Sequence, residues 1–355
     1  MNFQQLRYVS AAVRNDLNLT KAANELFTSQ SGVSKQIREL ENELHIEIFV
    51  RRGKRLVGLT PAGESAAQLI DHLLQEADNL KRLSDQFSQT DKGRLVIAAT
   101  HNQANYVLPP VLIRFSERFP DVEVELRQGS PSFVVDALVR GEADIGVATE
   151  AVDGHSHLQT FPCFTWEHVA IAPAGHPLLG LENPTLGDLA RYPIVTYSPE
   201  FSGGSQVQDA FHRAGLEPDI RLRAMDADVI KTYVRLGAGI GIIAQMAIEN
   251  GQADDLVPIP SSKGFFGTCS TKIAIQEGTL LRNYAYELIV TLAPHLDPEV
   301  LSGKKRAKPN PEPPAILNFS ERSDLMFGRQ SAAGATSPGV EIGSAETPAA
   351  RLRVA

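Results

Sequence analysis

The apolar spacing of the first 60 residues constrains the fold more than any other feature of this sequence. Residues 19–26 and 33–44 each place apolar side chains at steps of three and four, as one buried helix face does. Asn18 and Ser29 stand where each helix needs an N-cap, and only Phe27-Thr28 separates the two helices. With an earlier apolar stripe over residues 3–13, this pattern predicts three short helices, the last two forming a helix-turn-helix.

A basic turn follows the third predicted helix. Between the strand-like runs 48–50 and 56–57, residues 51–55 carry four positive charges, which predicts a β-hairpin wing. Residues 1–60 hold nine Lys/Arg against six Asp/Glu, a balance of +3, although the whole chain carries −8. A basic head on an acidic body keeps the attraction to DNA phosphate local.

The polar face of the third helix and the wing supply the candidate DNA contacts. A recognition helix meets base edges in the major groove, while wing residues meet phosphate and position the head. Taken alone, the helix face could equally be a solvated surface. The candidate DNA-binding residues are Thr20, Gln30, Ser31, Ser34, Lys35, Arg38, Arg52, Lys54 and Arg55.

Residues 61–90 are predicted to form one long linker helix, with Thr60 as its N-cap and Pro61 at the first helical position. Apolar positions then alternate at steps of four and three, which predicts pairing with a second copy and hence a homo-oligomer. Packing of that face on the protein's own body is the alternative. The seam comprises Ala66, Ile70, Leu73, Ala77, Leu80, Ser84 and Phe87.

Residues 91–302 alternate strand-like and helical segments, which predicts an α/β domain with mostly parallel strands. Polar residues follow several strands, at the edge where open α/β sheets bind ligands. Hydroxyls, amides and helix N-termini there suit a small anion, and ordinary helix capping is the alternative. The candidate effector-binding residues are Thr100, Asn102, Gln103, Ser130, Thr149 and Ser202.

The tail and the overall composition set further expectations. Residues 303–355 include six prolines and few large apolar side chains, so we expect a disordered tail. The two cysteines, Cys163 and Cys269, lie outside any Cys-x-x-Cys, which argues against a disulfide framework or cysteine-based zinc site. Without a signal peptide or membrane-spanning run, we expect a cytoplasmic protein with no membrane partner.

Enzymes and solute-binding proteins are the rival function classes for a two-lobed domain. A solute-binding protein would need an export signal, and the sequence shows none. An enzyme would need a nucleophile–base pair or a metal constellation, and we find neither, so we expect no enzymatic activity, cofactor or metal site. Gly237–Gly241 is similar to a dinucleotide loop but follows a helix and precedes a strand, the wrong order for that motif, and indicates close packing instead. Asp226 and Asp228, beside Lys231 and Arg235, indicate structural salt bridges. Whether Trp166 and Phe164 line a cleft or only pack stays open.

The first 63 residues resemble the DNA-binding head of the LysR family of transcriptional regulators. The shared spacing begins at Thr20, Ala22-Ala23, Leu26, Ser29-Gln30, Val33-Ser34, Ile37 and Leu40-Glu41, and continues through Leu44, Ile48-Phe49, Arg51, Leu59-Thr60-Pro61 and Gly63. Residues 99–104, 128–131, 148–151, 192–197 and 227–237 resemble, more narrowly, the CysB/Cbl branch, the activators of sulfur assimilation.

The resemblance implies an α+β winged helix-turn-helix head (1–60), a linker and dimerisation helix (61–90) and a two-lobed α/β effector domain (91–302), similar to periplasmic binding proteins. Lobe I is expected at about 91–163 and 267–302, and lobe II at about 164–266.

The resemblance also implies a function. It implies an activator of sulfur assimilation or cysteine biosynthesis genes that binds operator DNA as a dimer or tetramer and contacts RNA polymerase. The effector would be a small anion such as sulfate or acetylserine. Asn102 and Ser202 stand where threonine is usual, so the location of the ligand is better supported than its identity. Regulation of another organosulfur or small-acid pathway is the alternative.

Overall fold

The computed structural model describes residues 1–53, 55–87, 91–249, 255–296, 301, 318–321 and 353–354. The chain divides into two compact units. The first comprises residues 1–90 with 278–282, and the second comprises residues 91–277 with 283–355. No helix in these ranges is both long and apolar enough to cross a bilayer.

The first unit begins with the predicted three helices, hairpin and long helix. Its elements are α1 (Phe3–Arg14), α2 (Leu19–Glu25), α3 (Gln30–Leu44), β1 (Phe49–Arg52), β2 (Arg55–Leu59) and α4 (Pro61–Phe87). The side chain of Asn18 accepts hydrogen bonds from the N–H groups at the start of α2, and Ser29 does so for α3. Both predicted N-caps are therefore confirmed. β1 and β2 pair antiparallel, which confirms the wing.

One apolar core holds the head together, and the start of α4 belongs to it. Val9, Val33, Ile37 and Ile48 are fully buried in this core, and Ile70 of α4 is only 4% exposed among them. The predicted seam is therefore wrong at Ile70, because this side chain covers the protein's own helix-turn-helix. Further along α4 the seam positions Leu73 and Leu80 are exposed, and outside the seam Leu69 and Leu83 are exposed too.

The second unit is an α/β domain whose strands run through two half-sheets. Its strands are β3 (Gly93–Thr100), β4 (Val122–Gly129), β5 (Ile145–Thr149), β6 (Leu158–Pro173), β7 (Ile194–Tyr197), β8 (Ile220–Ala224), β9 (Ile240–Ala244), β10 (Leu256–Pro258), β11 (Thr268–Gln276) and β12 (Arg353–Val354). Its helices are α5 (Leu108–Arg118), α6 (Pro131–Val139), α7 (Leu186–Leu189), α8 (Ser202–Arg213), α9 (Ala227–Arg235), α10 (Met246–Glu249) and α11 (Asn283–Leu292).

The long strand β6 joins the half-sheets by changing partners along its length. Residues 158–167 of β6 pair antiparallel with β11, and residues 168–171 pair antiparallel with β9. The strand order is β12-β4-β3-β5-β11-β6-β9-β7-β8, with β10 on β6. β3 is parallel to β4 and β5, and β7 is parallel to β8 and β9. The predicted parallel pairing holds within each half, while β6 and β11 add antiparallel strands between them.

Four residues of the tail are ordered against β6. Phe319 is only 3% exposed, and its ring centroid lies 5.6 Å from that of Phe164. Asn318 forms a parallel bridge with Thr165, and Ser320 accepts a hydrogen bond from Gln245 at 3.0 Å. The prediction of a disordered tail is wrong at residues 318–321, because Phe319 supplies apolar surface that offsets the cost of ordering its neighbours. It is also wrong at β12, which pairs with β4. Apart from β12, the rest of the predicted tail lies outside the described residues.

Candidate DNA-binding head and effector cavity

The predicted DNA-contacting face of α3 is open to solvent. Gln30, Ser31, Lys35 and Arg38 are exposed, and Ser34 is half-buried between them. The ammonium of Lys35 lies 3.7 Å from the carboxylate of Glu39, and because both side chains are exposed this ion pair is weak. A positively charged and polar surface is thus available along α3.

The remaining DNA candidates lie on α2 and the wing. Thr20 is exposed in the first turn of α2, and Arg52 and Arg55 are exposed at opposite positions of the hairpin, where they pair in register. Lys54, between them, lies outside the described residues. The hairpin therefore presents two exposed guanidinium groups beside the recognition helix of the same unit.

Glu41 of α3 fixes the wing to the recognition helix. Its Oε1 accepts hydrogen bonds from the backbone N–H groups of Ile48 at 2.9 Å and Phe49 at 3.1 Å. Its Oε2 accepts a hydrogen bond from the Arg51 guanidinium at 2.7 Å. Glu41 is 9% exposed, so the carboxylate satisfies two backbone donors that water does not reach freely. The sequence showed Glu41 and Arg51 as part of a motif without showing this contact.

A cavity in the second unit gathers the polar ends of several strands. Its volume is about 20 Å³, and it is partly open to solvent. Thr100 ends β3, Thr149 ends β5, and Asn102 and Gln103 follow β3 directly. We call it the effector cavity, and it is lined by Thr100, His101, Asn102, Gln103, Pro131, Thr149, Trp166, His168, Tyr197, Phe201, Gly203 and Met225.

Four of the six predicted effector residues line this cavity, namely Thr100, Asn102, Gln103 and Thr149. Ser130 does not line it. The Ser130 hydroxyl instead accepts a hydrogen bond from the N–H of Phe133 at 3.2 Å and caps α6, as the helix-cap alternative allowed. The backbone of Ser202 begins α8, while its side chain lies outside what the structure describes.

Several buried polar atoms of the cavity have no partner. Asn102 donates through Nδ2 to the Tyr197 hydroxyl at 3.0 Å, and Gln103 donates through Nε2 to the Thr271 hydroxyl at 2.9 Å. Asn102 Oδ1, Gln103 Oε1 and His168 Nε2 are buried without a hydrogen bond. Because an unpaired buried polar group costs about 1–3 kcal/mol, these atoms are poised to bind a ligand or water.

The two buried titratable side chains of the cavity, His168 and Tyr197, are uncharged at neutral pH. Burial lowers the pKa of His168 to about 3, so its imidazole carries no charge there. Burial also raises the pKa of Tyr197, which stays protonated. No lysine or arginine is among the lining residues. An anion held here would be bound by neutral dipoles and hydroxyls.

Sequence reasoning missed part of the lining. Tyr197 ends β7 and Met225 follows β8, so the strand-end rule that identified Thr100 and Thr149 also applies to them. His168 lies inside the long strand β6, where no local signal marks it. The sequence left open whether Trp166 and Phe164 line a cleft or only pack. Trp166 lines the cavity, and Phe164 packs against Phe319.

The other motifs have structural roles. Gly239 has a φ of +151° and a Cβ there would lie 2.1 Å from the carbonyl oxygen of Pro193, which confirms close packing. Lys231 pairs with Asp228 at 2.7 Å, the expected structural salt bridge. Arg235 pairs instead with Asp255 at 2.8 Å. Among the described residues, no cluster of three or more His, Cys, Asp or Glu could hold a metal ion.

Both units match models of one protein family. Residues 3–64 match the bacterial regulatory helix-turn-helix protein of the lysR family, and residues 88–297 match the LysR substrate binding domain. The chain belongs to the LysR family. It is therefore a DNA-binding transcriptional regulator, and the predicted fold class of winged head and effector domain is confirmed.

The relatives of this LysR-type regulator match it along most of their length. It is 50% identical over 306 residues to the HTH-type transcriptional regulator SsuR of Burkholderia cenocepacia, covering 86% of this chain and 99% of the relative. It is 46% identical over 301 residues to CysB of the same organism, covering 85% of this chain and 96% of the relative. A crystal structure of the cofactor-binding domain of the Cbl transcriptional regulator matches with 38% identity and a TM-score of 0.57, covering 60% of this chain and 93% of that domain.

Proposed function

We propose that this regulator controls sulfur assimilation or cysteine biosynthesis genes in response to a small anion bound in the effector cavity. The observation that carries the proposal is the set of buried, unpaired polar atoms facing a cavity at the ends of parallel strands. The similarity to SsuR, CysB and Cbl supports the choice of pathway. Sulfate, acetylserine and related anions are the candidate effectors.

DNA binding is proposed to use α3 for base edges and the wing for phosphate. Lys35→Ala and Arg38→Ala should weaken operator binding, since each removes an exposed cation from the recognition helix. Arg55→Ala should lower the log–log slope of affinity against salt by about 1, because one cation no longer neutralises a phosphate. The matched control is Lys92→Ala, an exposed lysine far along the chain that pairs with Asp121. Unchanged gel-shift affinity in all three variants would refute the assignment.

Effector binding is proposed to couple to operator affinity. Thr100→Val keeps the side-chain shape and removes one hydroxyl from a cavity residue that is only 5% exposed. An anion oxygen left unpaired costs about 1–3 kcal/mol, so effector affinity should fall by roughly tenfold or more while DNA binding without effector stays normal. Thr291→Val is the control, because that hydroxyl donates to the carbonyl of Glu287 one turn earlier in α11, in an exposed hydrogen bond. Calorimetry with sulfate, thiosulfate and acetylserine measures both variants, and an unchanged constant for Thr100→Val would disprove this site.

The active species is proposed to be a homo-oligomer that also contacts RNA polymerase. The exposed leucines of α4 support self-association, since Leu80 is 68% and Leu69 64% exposed on one long helix. Exposed apolar side chains on a long helix favour pairing with a second copy.

A further inference from the structure

His168 presents a fully buried, unpaired nitrogen to the effector cavity. The residue lies on β6 at the point where this strand changes partners, and its side chain is 0% exposed. Nε2 has no hydrogen-bond partner, although the imidazole lines the cavity. Gly203 lies directly against Nε2, because a Cβ at position 203 would be only 2.5 Å from this nitrogen.

The other ring nitrogen determines which proton state Nε2 has. Nδ1 lies 3.8 Å from Sγ of Cys269, and the Cys269 thiol donates its hydrogen to Oε1 of Gln206 at 2.9 Å. With the Gln206 amide in this orientation, the sulfur accepts from the imidazole and Nδ1 carries the ring proton. In a neutral imidazole the second nitrogen is then a bare acceptor, and Nε2 directs a lone pair into the cavity.

With the ring proton on Nδ1, His168 differs from the two unpaired amides. Asn102 bonds the Tyr197 hydroxyl and Gln103 bonds the Thr271 hydroxyl, and a hydroxyl can donate or accept. Turning either amide by 180° therefore keeps its hydroxyl contact and exchanges the group that faces the cavity. Both amides can adapt to an anion, whereas the Nε2 lone pair of His168 cannot pair with an oxyanion oxygen.

We propose that His168 determines effector specificity by accepting a hydrogen bond from an N–H or O–H group of the effector. This inference rests on the proposed anion site. The effector class is then a small sulfur or carboxylate anion that also carries a hydrogen-bond donor, and a fully deprotonated oxyanion such as sulfate is a poorer fit. A site built to pair a donor discriminates against an analogue that lacks it, because its own polar group would stay unpaired.

Two anions that differ by a single hydroxyl test the proposal. Ethanesulfonate and 2-hydroxyethanesulfonate are titrated into the full-length protein by calorimetry, for the parent and for His168→Phe. The parent should bind the hydroxylated anion at least tenfold more tightly, and His168→Phe should bind the two with similar affinity. Equal affinities in the parent, or a preference that persists in the variant, would overturn the role of His168 while leaving the anion site standing. Binding of neither anion would overturn the proposed site and this inference together.

A second variant and a spectroscopic measurement keep the test independent of folding defects in His168→Phe. His168→Gln presents an amide that can still pair with the added hydroxyl, so it should restore part of the preference that His168→Phe loses, and no preference in His168→Gln would contradict the proposal. Nitrogen NMR of the ¹⁵N-histidine-labelled parent should show Nδ1 protonated and Nε2 unprotonated, and the Nε2 signal should move when the hydroxylated anion binds. The opposite tautomer would overturn the assignment of Nε2 as acceptor.

Discussion

Glu41→Ala removes the carboxylate that connects the recognition helix to the wing. In the folded head this carboxylate accepts the N–H groups of Ile48 and Phe49, both fully or nearly buried, and pairs with Arg51. The variant leaves two backbone donors without a partner at the start of β1. The side chain of Arg51 is 22% exposed, so its guanidinium can turn to water. The two unpaired N–H groups therefore account for most of the destabilisation.

The expected destabilisation is about 3 kcal/mol, from two buried donors at about 1–3 kcal/mol each. If this loss of free energy affects only the opening of the hairpin, the amides of Ile48 and Phe49 should exchange with solvent about 100-fold faster. Each 1.4 kcal/mol corresponds to about a factor of ten in the opening equilibrium. Hydrogen exchange of the full-length protein, followed by mass spectrometry on peptides from residues 46–52, measures this directly. Operator affinity should fall as well, because the wing no longer keeps its place beside α3.

Glu39→Ala is the matched control for this variant. Glu39 lies on the same helix, is exposed, and pairs only loosely with Lys35 at 3.7 Å, so its removal should change exchange in the wing little. Unchanged protection of Ile48 and Phe49 in Glu41→Ala would refute the reasoning. Equal effects of the two variants would do so too.

The exposure or burial of particular side chains leads to three more predictions. Replacing both Leu73 and Leu80 with lysine should give monomers in light scattering, because like charges would meet where two copies of α4 pair. Ile70→Ala should instead destabilise the head by about 2–5 kcal/mol and leave the mass unchanged, because Ile70 is buried in the head. Phe319→Ala should lower the stability of the second unit by up to about 3 kcal/mol in urea unfolding, and no change would show that residues 318–321 do not stay on β6. Burial holds the pKa of His168 near 3, below its ordinary value near 6.5, so the unfolded chain takes up a proton that the folded chain does not. Stability should therefore fall as the pH drops from 6.5 towards 3, by up to about 1.4 kcal/mol per pH unit, and His168→Gln should show a shallower slope between pH 6 and 5.

The pattern of the sequence was enough for the elements whose signals are local. Steps of three and four marked α2 and α3, and Asn18 and Ser29 marked where they begin, because a cap acts on N–H groups two or three residues away. The same holds for the strand ends at Thr100 and Thr149, since the polar residue directly follows an apolar run. The spacing of the LysR motif then identified the family before any contact was known.

Contacts between segments far apart in sequence were decided only by the tertiary structure. The heptad spacing of α4 could not show that Ile70 covers the protein's own head while Leu73 and Leu80 stay exposed. Composition could not show that Phe319 would pack against β6, nor could any local pattern place His168 in the cavity. Periodicity determines that a side chain faces away from water, and the fold determines what it faces. For His168 the fold placed Cys269 and the effector cavity on opposite sides of one imidazole, and this arrangement sets the polarity of the site.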